Sequence, residues 1–380
     1  MRAADAPLLQ PLDEPVDEGV RIMTICNACR YCEGYCAVFP AMERRLSFSE
    51  ADIRYLANLC HSCGDCLYAC QYAPPHAFGV NVPRTLARVR GETYRAYAWP
   101  AWLGEVLGRS GVLTALALAA VIAASLWVGV SSSRSEDLFH AVPGARFYSV
   151  IPHGVMFFVF GAVGLFVVAT MFTGVLGAWS DMGEERTALA DPMAWKTALG
   201  DAFSLRYLGG HATACTDELD RTASLRRAAH HLTFYGFLLC FAATTVAAVY
   251  HSAFGWEAPY DYLSLPVLLG TAGGVGLLIG PPLLYVCRRR ADPLTLDSAQ
   301  AGAGDALILL LFLTSATGLL LLVLRETSAM AILLVVHLAI VMALFIVLPY
   351  GKFAHSFYRL AALLRYALES RRPHRSADEA

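Results

Sequence analysis

Six long runs almost free of charge decide what this chain can fold into. They lie near residues 111–130, 149–178, 230–254, 264–286, 305–324 and 329–350. Crossing ~30 Å of hydrocarbon takes about 20 residues of helix, and in that solvent the backbone must satisfy its own hydrogen bonds. The chain therefore reads as mainly α, with a six-helix transmembrane bundle in a lipid bilayer. A composition of 57% hydrophobic and 16% charged residues over 380 positions excludes an ordinary soluble globule. The uncharged stretch from Phe147 to Ser180 exceeds one span, which predicts tilt, protrusion or a hidden break. A formal net charge of -2 provides no field for a polyanion, so no nucleic-acid partner is expected.

Lys and Arg in the connections set the orientation, because cytoplasmic loops retain them. The connection over 180–229 carries Arg186, Lys196, Arg206, Arg221, Arg226 and Arg227, and the one after the fourth run carries Arg288, Arg289 and Arg290. The C-terminal segment carries Lys352, Arg359, Arg365, Arg371, Arg372 and Arg375, and Arg84, Arg88, Arg90, Arg95 and Arg109 precede the first run. Only Arg134, Arg146 and Arg325 fall on the other side. The opening MRAADAPLLQPLDEPVDEGV has neither the basic nor the apolar region of a signal peptide. These observations predict a multi-pass protein of a bacterial-type inner membrane with both termini in the cytoplasm. In the fourth run, Gly270, Gly273, Gly274, Gly276 and Gly280 are spaced for close helix packing. No strand or Lys makes them a phosphate loop.

The chain ahead of the membrane is different in kind. CNACRYCEGYC at 26–36 and CHSCGDCLYAC at 60–70 repeat one spacing, and together they hold eight of the eleven cysteines. Cys215, Cys240 and Cys287 are scattered, so no disulfide framework is implied. Structural zinc uses two separated C-x-x-C pairs and would leave cysteines over, and a thioredoxin-like pair would leave more. Three close thiolates with a fourth three residues on wrap a cubane, the fourth reaching across to the other cluster. On that rule Cys26, Cys29, Cys32 and Cys70 hold one [4Fe-4S] cluster, and Cys60, Cys63, Cys66 and Cys36 hold a second. No proline follows either fourth cysteine. Between the motifs, Ser47 or Ser49 starts a helical pattern through Ile53, Leu56 and Leu59. The reading is an N-terminal α-helical-type two-[4Fe-4S] ferredoxin domain over 21–100, after an acidic segment at 1–20. The membrane domain spans 101–365, and a polar tail 366–380.

Electrons held by two clusters need an acceptor. No C-x-x-C-H is present, so c-type haem is excluded, whereas a b-type haem needs only two axial side chains. Ionisable residues inside a membrane are costly and default to function. His337 and His355 are 18 residues apart, about 27 Å along one helix face if the helix is continuous. Depth pairs His251 with His337 on the outside, and His230 or His231 with His355 on the inside. His153 is the alternative to His251. One or two haems follow. His61 and His76 are expected to pack or tune beside the clusters, and His140, His211 and His374 to lie in loops. Trp256, Glu257, Tyr260 and Asp261 are quinone-site candidates by nearness to His251.

The phrases CNACRYCEGYCAVFPAME, LANLCHSCGDCLYACQYAPPHAFGVNVP and PYGKFAHSFYR resemble the tricarballylate utilisation protein B family, also called citrate utilisation protein B, over about residues 20–365. The last span is also similar to the haem-bearing subunit of respiratory nitrate reductases. The resemblance implies an electron-transfer partner of a soluble FAD-dependent tricarballylate dehydrogenase, the A protein, passing electrons towards the membrane quinone. With no G-x-G-x-x-G after a strand, no flavin is expected in this chain. Two alternatives stand beside it: a tricarboxylate permease with redox-sensing clusters, and the same electron transfer served by another flavin or thiol dehydrogenase. No dehydrogenase site of its own is expected.

Overall fold

The computed structural model describes residues 10–108, 111–134, 140–141, 143–208, 217–297 and 300–372, and among them contains no strand. Arg109, His211, Cys215, His374 and Arg375 lie outside the described residues, as do 1–9 of the acidic segment and 373–380 of the tail. The cysteine domain comprises α1 (Pro15–Cys29), α2 (Val38–Glu43), α3 (Glu50–Leu59), α4 (Asp65–Tyr68) and α5 (Val82–Ala96). The helix expected between the two motifs is α3, and the shorter α2 precedes it. Ser49 starts α3 through a capping box: its hydroxyl accepts the Asp52 N–H, and the Asp52 carboxylate accepts the Ser49 N–H. Ile22, Met23, Ile53, Leu56 and Leu86 close the domain's core with no exposed surface.

After α6 (Ala101–Gly108), six helices are long and apolar enough to cross a membrane: α7 (Val112–Arg134), α9 (His153–Asp181), α11 (Asp217–Phe254), α12 (Leu265–Arg290), α13 (Ala301–Leu324) and α14 (Met330–Val347). The break expected in the second run is present. The short α8 (Phe147–Val150) ends at Ile151, and α9 begins only after Pro152, which cannot donate to a continuing helix. The connection after α9 carries α10 (Pro192–Phe203). The glycines of the fourth run serve close approach. A Cβ on Gly273 would stand 2.7 Å from the Gly236 carbonyl oxygen of α11, and one on Gly276 2.9 Å from the Leu232 carbonyl oxygen.

The last span departs from expectation. α14 stops at Val347, a turn containing Pro349 and Gly351 follows, and α15 (His355–Arg371) starts after a short 3-10 turn over Lys352–Ala354. His337 and His355 therefore do not share a continuous helix face, because Pro349 removes a backbone donor where α14 would have had to continue. α15 belongs with the cysteine domain. Its Tyr358, Leu363 and Leu364 join one core with Met42, Tyr55 and Leu56, and with Trp179 of α9. Arg45 bonds Glu369 of α15 and Asp52 of α3, each at 2.6 Å, and the Tyr55 hydroxyl donates to Glu369 at 3.0 Å. The boundary at residue 365 thus falls inside α15. The result is a cysteine domain seated on the arginine-rich end of the helical bundle.

Candidate metal centres

The first motif is carried by the last turn of α1, which holds Cys26 and Cys29, and by the turns after it. The second begins at the end of α3 with Cys60 and continues through α4. Ser62 and Gly64 turn the second loop with φ of 50° and 96°, the latter in the region that favours glycine. Electrostatics sort the thiols crosswise. Burial and then Cys70, Cys32 and Cys29 push the Cys26 thiol far above its ordinary value. Burial and then Cys60 and Cys63 do the same to Cys36. Cys32 is pushed up to about 11 by burial, Cys70 and Cys29, and Cys63 to about 11 by burial and Asp65. The fourth cysteine of each motif therefore faces the first three of the other.

Such thiols resist becoming thiolates until a cation compensates them, which suits a metal core. Cys36, Cys60, Cys63 and Cys66 line one pocket, together with His61. Among the described residues no three Cys, His, Asp or Glu side chains converge on a single ion. Backbone amides already serve the sulfurs. Ser62 N–H donates to Cys60 Sγ at 3.4 Å, Cys36 accepts from Val38 and Phe39, and Cys70 accepts from Tyr72 and Ala73. His61 packs against Tyr207 with ring centroids 5.9 Å apart, and His76 packs against Tyr72 and Phe78.

Arginines connect the second cysteine loop to the membrane helices. Arg226 of α11 donates to the carbonyls of Ser62 and His61 at 2.9 and 2.8 Å, and Arg359 of α15 donates to the Cys60 carbonyl at 2.8 Å. Arg90 of α5 donates to the same Cys60 carbonyl and, at 2.6 Å, to the Ser62 hydroxyl. His230 lies one turn from Arg226, and His355 one turn from Arg359. Their rings stand edge-on, with centroids 6.2 Å apart and planes at 85°. Metal–nitrogen bonds of about 2 Å on both sides would separate two axial imidazole centroids by about 6 Å, so the spacing fits a shared iron. His355 Nδ1 lies 2.5 Å from the Lys352 carbonyl, which assigns that nitrogen the proton and leaves Nε2 its lone pair. Burial, then Arg359 and His230, hold His355 well below its usual value and so keep it neutral. His230 Nδ1 is buried with no hydrogen-bond partner.

The other histidines fall differently. His251 meets His153, not His337: their rings stack with centroids 3.5 Å apart, and Tyr148 lies edge-on to both. Burial, then Tyr260 and Glu257, push Tyr148 up to about 12. His337 turns towards α13, where its Nδ1 lies 3.0 Å from Thr317 Oγ1 and its ring fills the space beside Gly318. The expected His251–His337 pair is thereby corrected, for α13 satisfies His337. His231 stacks on Tyr235 of its own helix instead of meeting His355. His140 is exposed. Of the outer-loop candidates, Tyr260 is engaged, donating to the carbonyls of Ala247 and Trp256 at 3.0 and 3.1 Å.

The arginine clamp is what sequence reasoning missed. Arg226 and Arg359 registered there only as topology charges. Their signal was the four-residue interval to a histidine, in RRAAHH and HSFYR.

Comparison with known proteins agrees with this two-part construction. Residues 19–96 match the family model described as citrate utilization protein B Fer4-like domain, and residues 108–377 match that described as citrate utilization protein B. A curated citrate utilization protein B of Escherichia coli is 48% identical over 365 residues, covering 95% of this chain and 94% of that protein. No solved structure matches. With a Fer4-like domain at one end, a multi-helix apolar region at the other and a relative this similar along nearly its whole length, the chain belongs to the citrate utilization protein B family.

Proposed function

We propose that this chain is a membrane electron carrier, accepting electrons from a flavoprotein that oxidises tricarballylate or a related tricarboxylate and delivering them to the membrane quinone. Cys26, Cys29, Cys32 and Cys70 would hold one [4Fe-4S] cluster, Cys60, Cys63, Cys66 and Cys36 the other, and His230 with His355 a b-type haem. When bound, these groups take up and release electrons singly, which splits the pair a reduced flavin gives up. Flavin belongs to the partner, and the partner meets the cysteine face on the cytoplasmic side of a bacterial-type inner membrane. The arginine-rich end of the bundle supports that orientation.

The chain's own work is placement. Arg226 and Arg359 grip carbonyls of the second cysteine loop, and one turn below each stands a facing imidazole. This contiguity is the observation that carries the reading. At the far end, the stacked His153 and His251 with Tyr148 would bound the quinone site.

The test is a reduced-minus-oxidised optical spectrum of purified full-length protein, with iron, sulfide and haem quantified. The expected result is a b-type α-band with about eight non-haem irons. Zinc in place of iron, or iron without haem, would overturn it, the latter in favour of a sensor-permease.

A further inference from the structure

The two cysteine sets share a spacing but not an electrostatic setting. Around the second, Arg90, Arg226 and Arg359 arrive from α5, α11 and α15 and donate to the loop's backbone. Arg90 is buried, with 4% of its surface exposed, and Arg226 and Arg359 are half-buried. None of the three makes an ion pair with a carboxylate among the described residues. The acid beside this loop is Asp65, which bears on Cys63. Among the described residues the first set has no such group of cations. Arg30 and Glu33 in its loop are exposed and opposite in charge, and buried Arg21 is neutralised by Glu18 at 2.6 Å. Amide donors point the same way: Cys70 in the first set accepts two, whereas in the second Cys36 accepts two, Cys60 one from Ser62 and Cys63 one from Asp65.

We propose that Arg90, Arg226 and Arg359 make the second cysteine set the higher-potential station, so that electrons entering at the first run towards His230 and His355. The inference rests on the electron-carrier reading above. Adding one electron to a cluster makes it one charge more negative, with no bond made or broken. Nearby cations in a low-dielectric setting favour that state. The guanidiniums act a second time through the backbone. The His61 carbonyl and the Ser62 N–H belong to one planar trans peptide, so when Arg226 holds the carbonyl outward the N–H is turned to Cys60 Sγ, where it lies at 3.4 Å. These are positioning residues; they touch no substrate.

The experiment is a redox titration of the full-length protein followed by electron paramagnetic resonance. Cys29→Ser and Cys63→Ser variants assign the two signals. In the wild type the second set should be reduced first. Arg226→Gln and Arg359→Gln should each lower the reduced fraction of the second set relative to the first about tenfold, about 59 mV for one electron. Arg226→Lys should restore most of it. Non-haem iron is counted in every sample. Eight irons with equal potentials, with the first set reduced first, or with both sets shifted together would overturn this inference and leave the carrier reading standing. Absence of iron and sulfide would overturn both.

Discussion

The two imidazole pairs that share α11 look alike on paper and differ in how their rings stand. The inner pair, His230 and His355, comes from two helices, stands 6.2 Å apart at near right angles, and has one ring oriented by a backbone carbonyl. The outer pair, His153 and His251, stacks at 3.5 Å with planes 27° apart, and Tyr148 fills the edge. Two rings stacked face to face do not direct lone pairs at a common iron, whereas the inner rings stand far enough apart for one and His355 has its Nδ1 committed to a carbonyl. Depth in the bilayer thus selects candidates, but orientation decides what they can hold. The inner pair also sits one turn from the arginines that hold the second cysteine loop, and the outer pair is at the far end of α11.

The largest effect expected is on both pairs together. α11 carries His230 at one end and His251 at the other, and its position against α12 depends on Gly273. Gly273→Leu puts a side chain where even a Cβ would lie 2.7 Å from the Gly236 carbonyl oxygen. We expect haem content and folded yield to collapse together, read by absorbance and size-exclusion chromatography. Retention of either one would show that the α11–α12 contact is not what sets the pairs. Next comes the separation of the pairs themselves. His230→Ala and His355→Ala should each remove a full equivalent of haem, and His153→Ala and His251→Ala should leave that equivalent in place. Equal loss of haem in all four variants would show that the two pairs are equivalent.

A smaller, local change probes the cysteine side. Cys70→Ser should perturb the paramagnetic signal assigned to Cys26, Cys29 and Cys32, although Cys70 belongs to the other motif, and should leave that of Cys60, Cys63 and Cys66 unchanged. The Cys70 thiol is one of those that push Cys26 and Cys32 upward. A change confined to the second signal would replace the crosswise arrangement with a sequential one.

Much of this was legible in the sequence, for identifiable reasons. Spans follow from transfer energetics, which act residue by residue, and the repeated cysteine spacing marks the Fer4-like domain. The helix start at Ser49 follows from a local hydrogen-bond pattern. What escaped depends on tertiary facing. Pro349 and Gly351 were present as breakers, yet the hydropathy of 329–350 hid the turn that frees α15 to join the cysteine core. The pairing of His153 with His251 needed the angle at which α9 meets α11, which no single helix encodes. The arginine clamp escaped because cations near a membrane surface already had a use as topology signals.

His337 gives the smallest effect and the sharpest test of how far depth alone can be trusted. Cost of burial makes an imidazole in LLVVHLAIVMALF a ligand candidate, but α13 offers another way to meet that cost. Thr317 Oγ1 lies 3.0 Å from Nδ1, and Gly318 leaves room for the ring. Polar contacts between membrane helices average only about 0.6 kcal/mol, so losing this one should weaken packing modestly. His337→Ala should keep the wild-type haem content and α-band position, with unfolding a few degrees earlier as the vacated space adds to the lost contact. His337→Asn, which can still bond Thr317, should recover part of that loss. Should His337→Ala instead release haem, His337 would be an axial ligand after all, and the division between an iron-holding inner pair and a packing histidine at mid-depth would have to be redrawn.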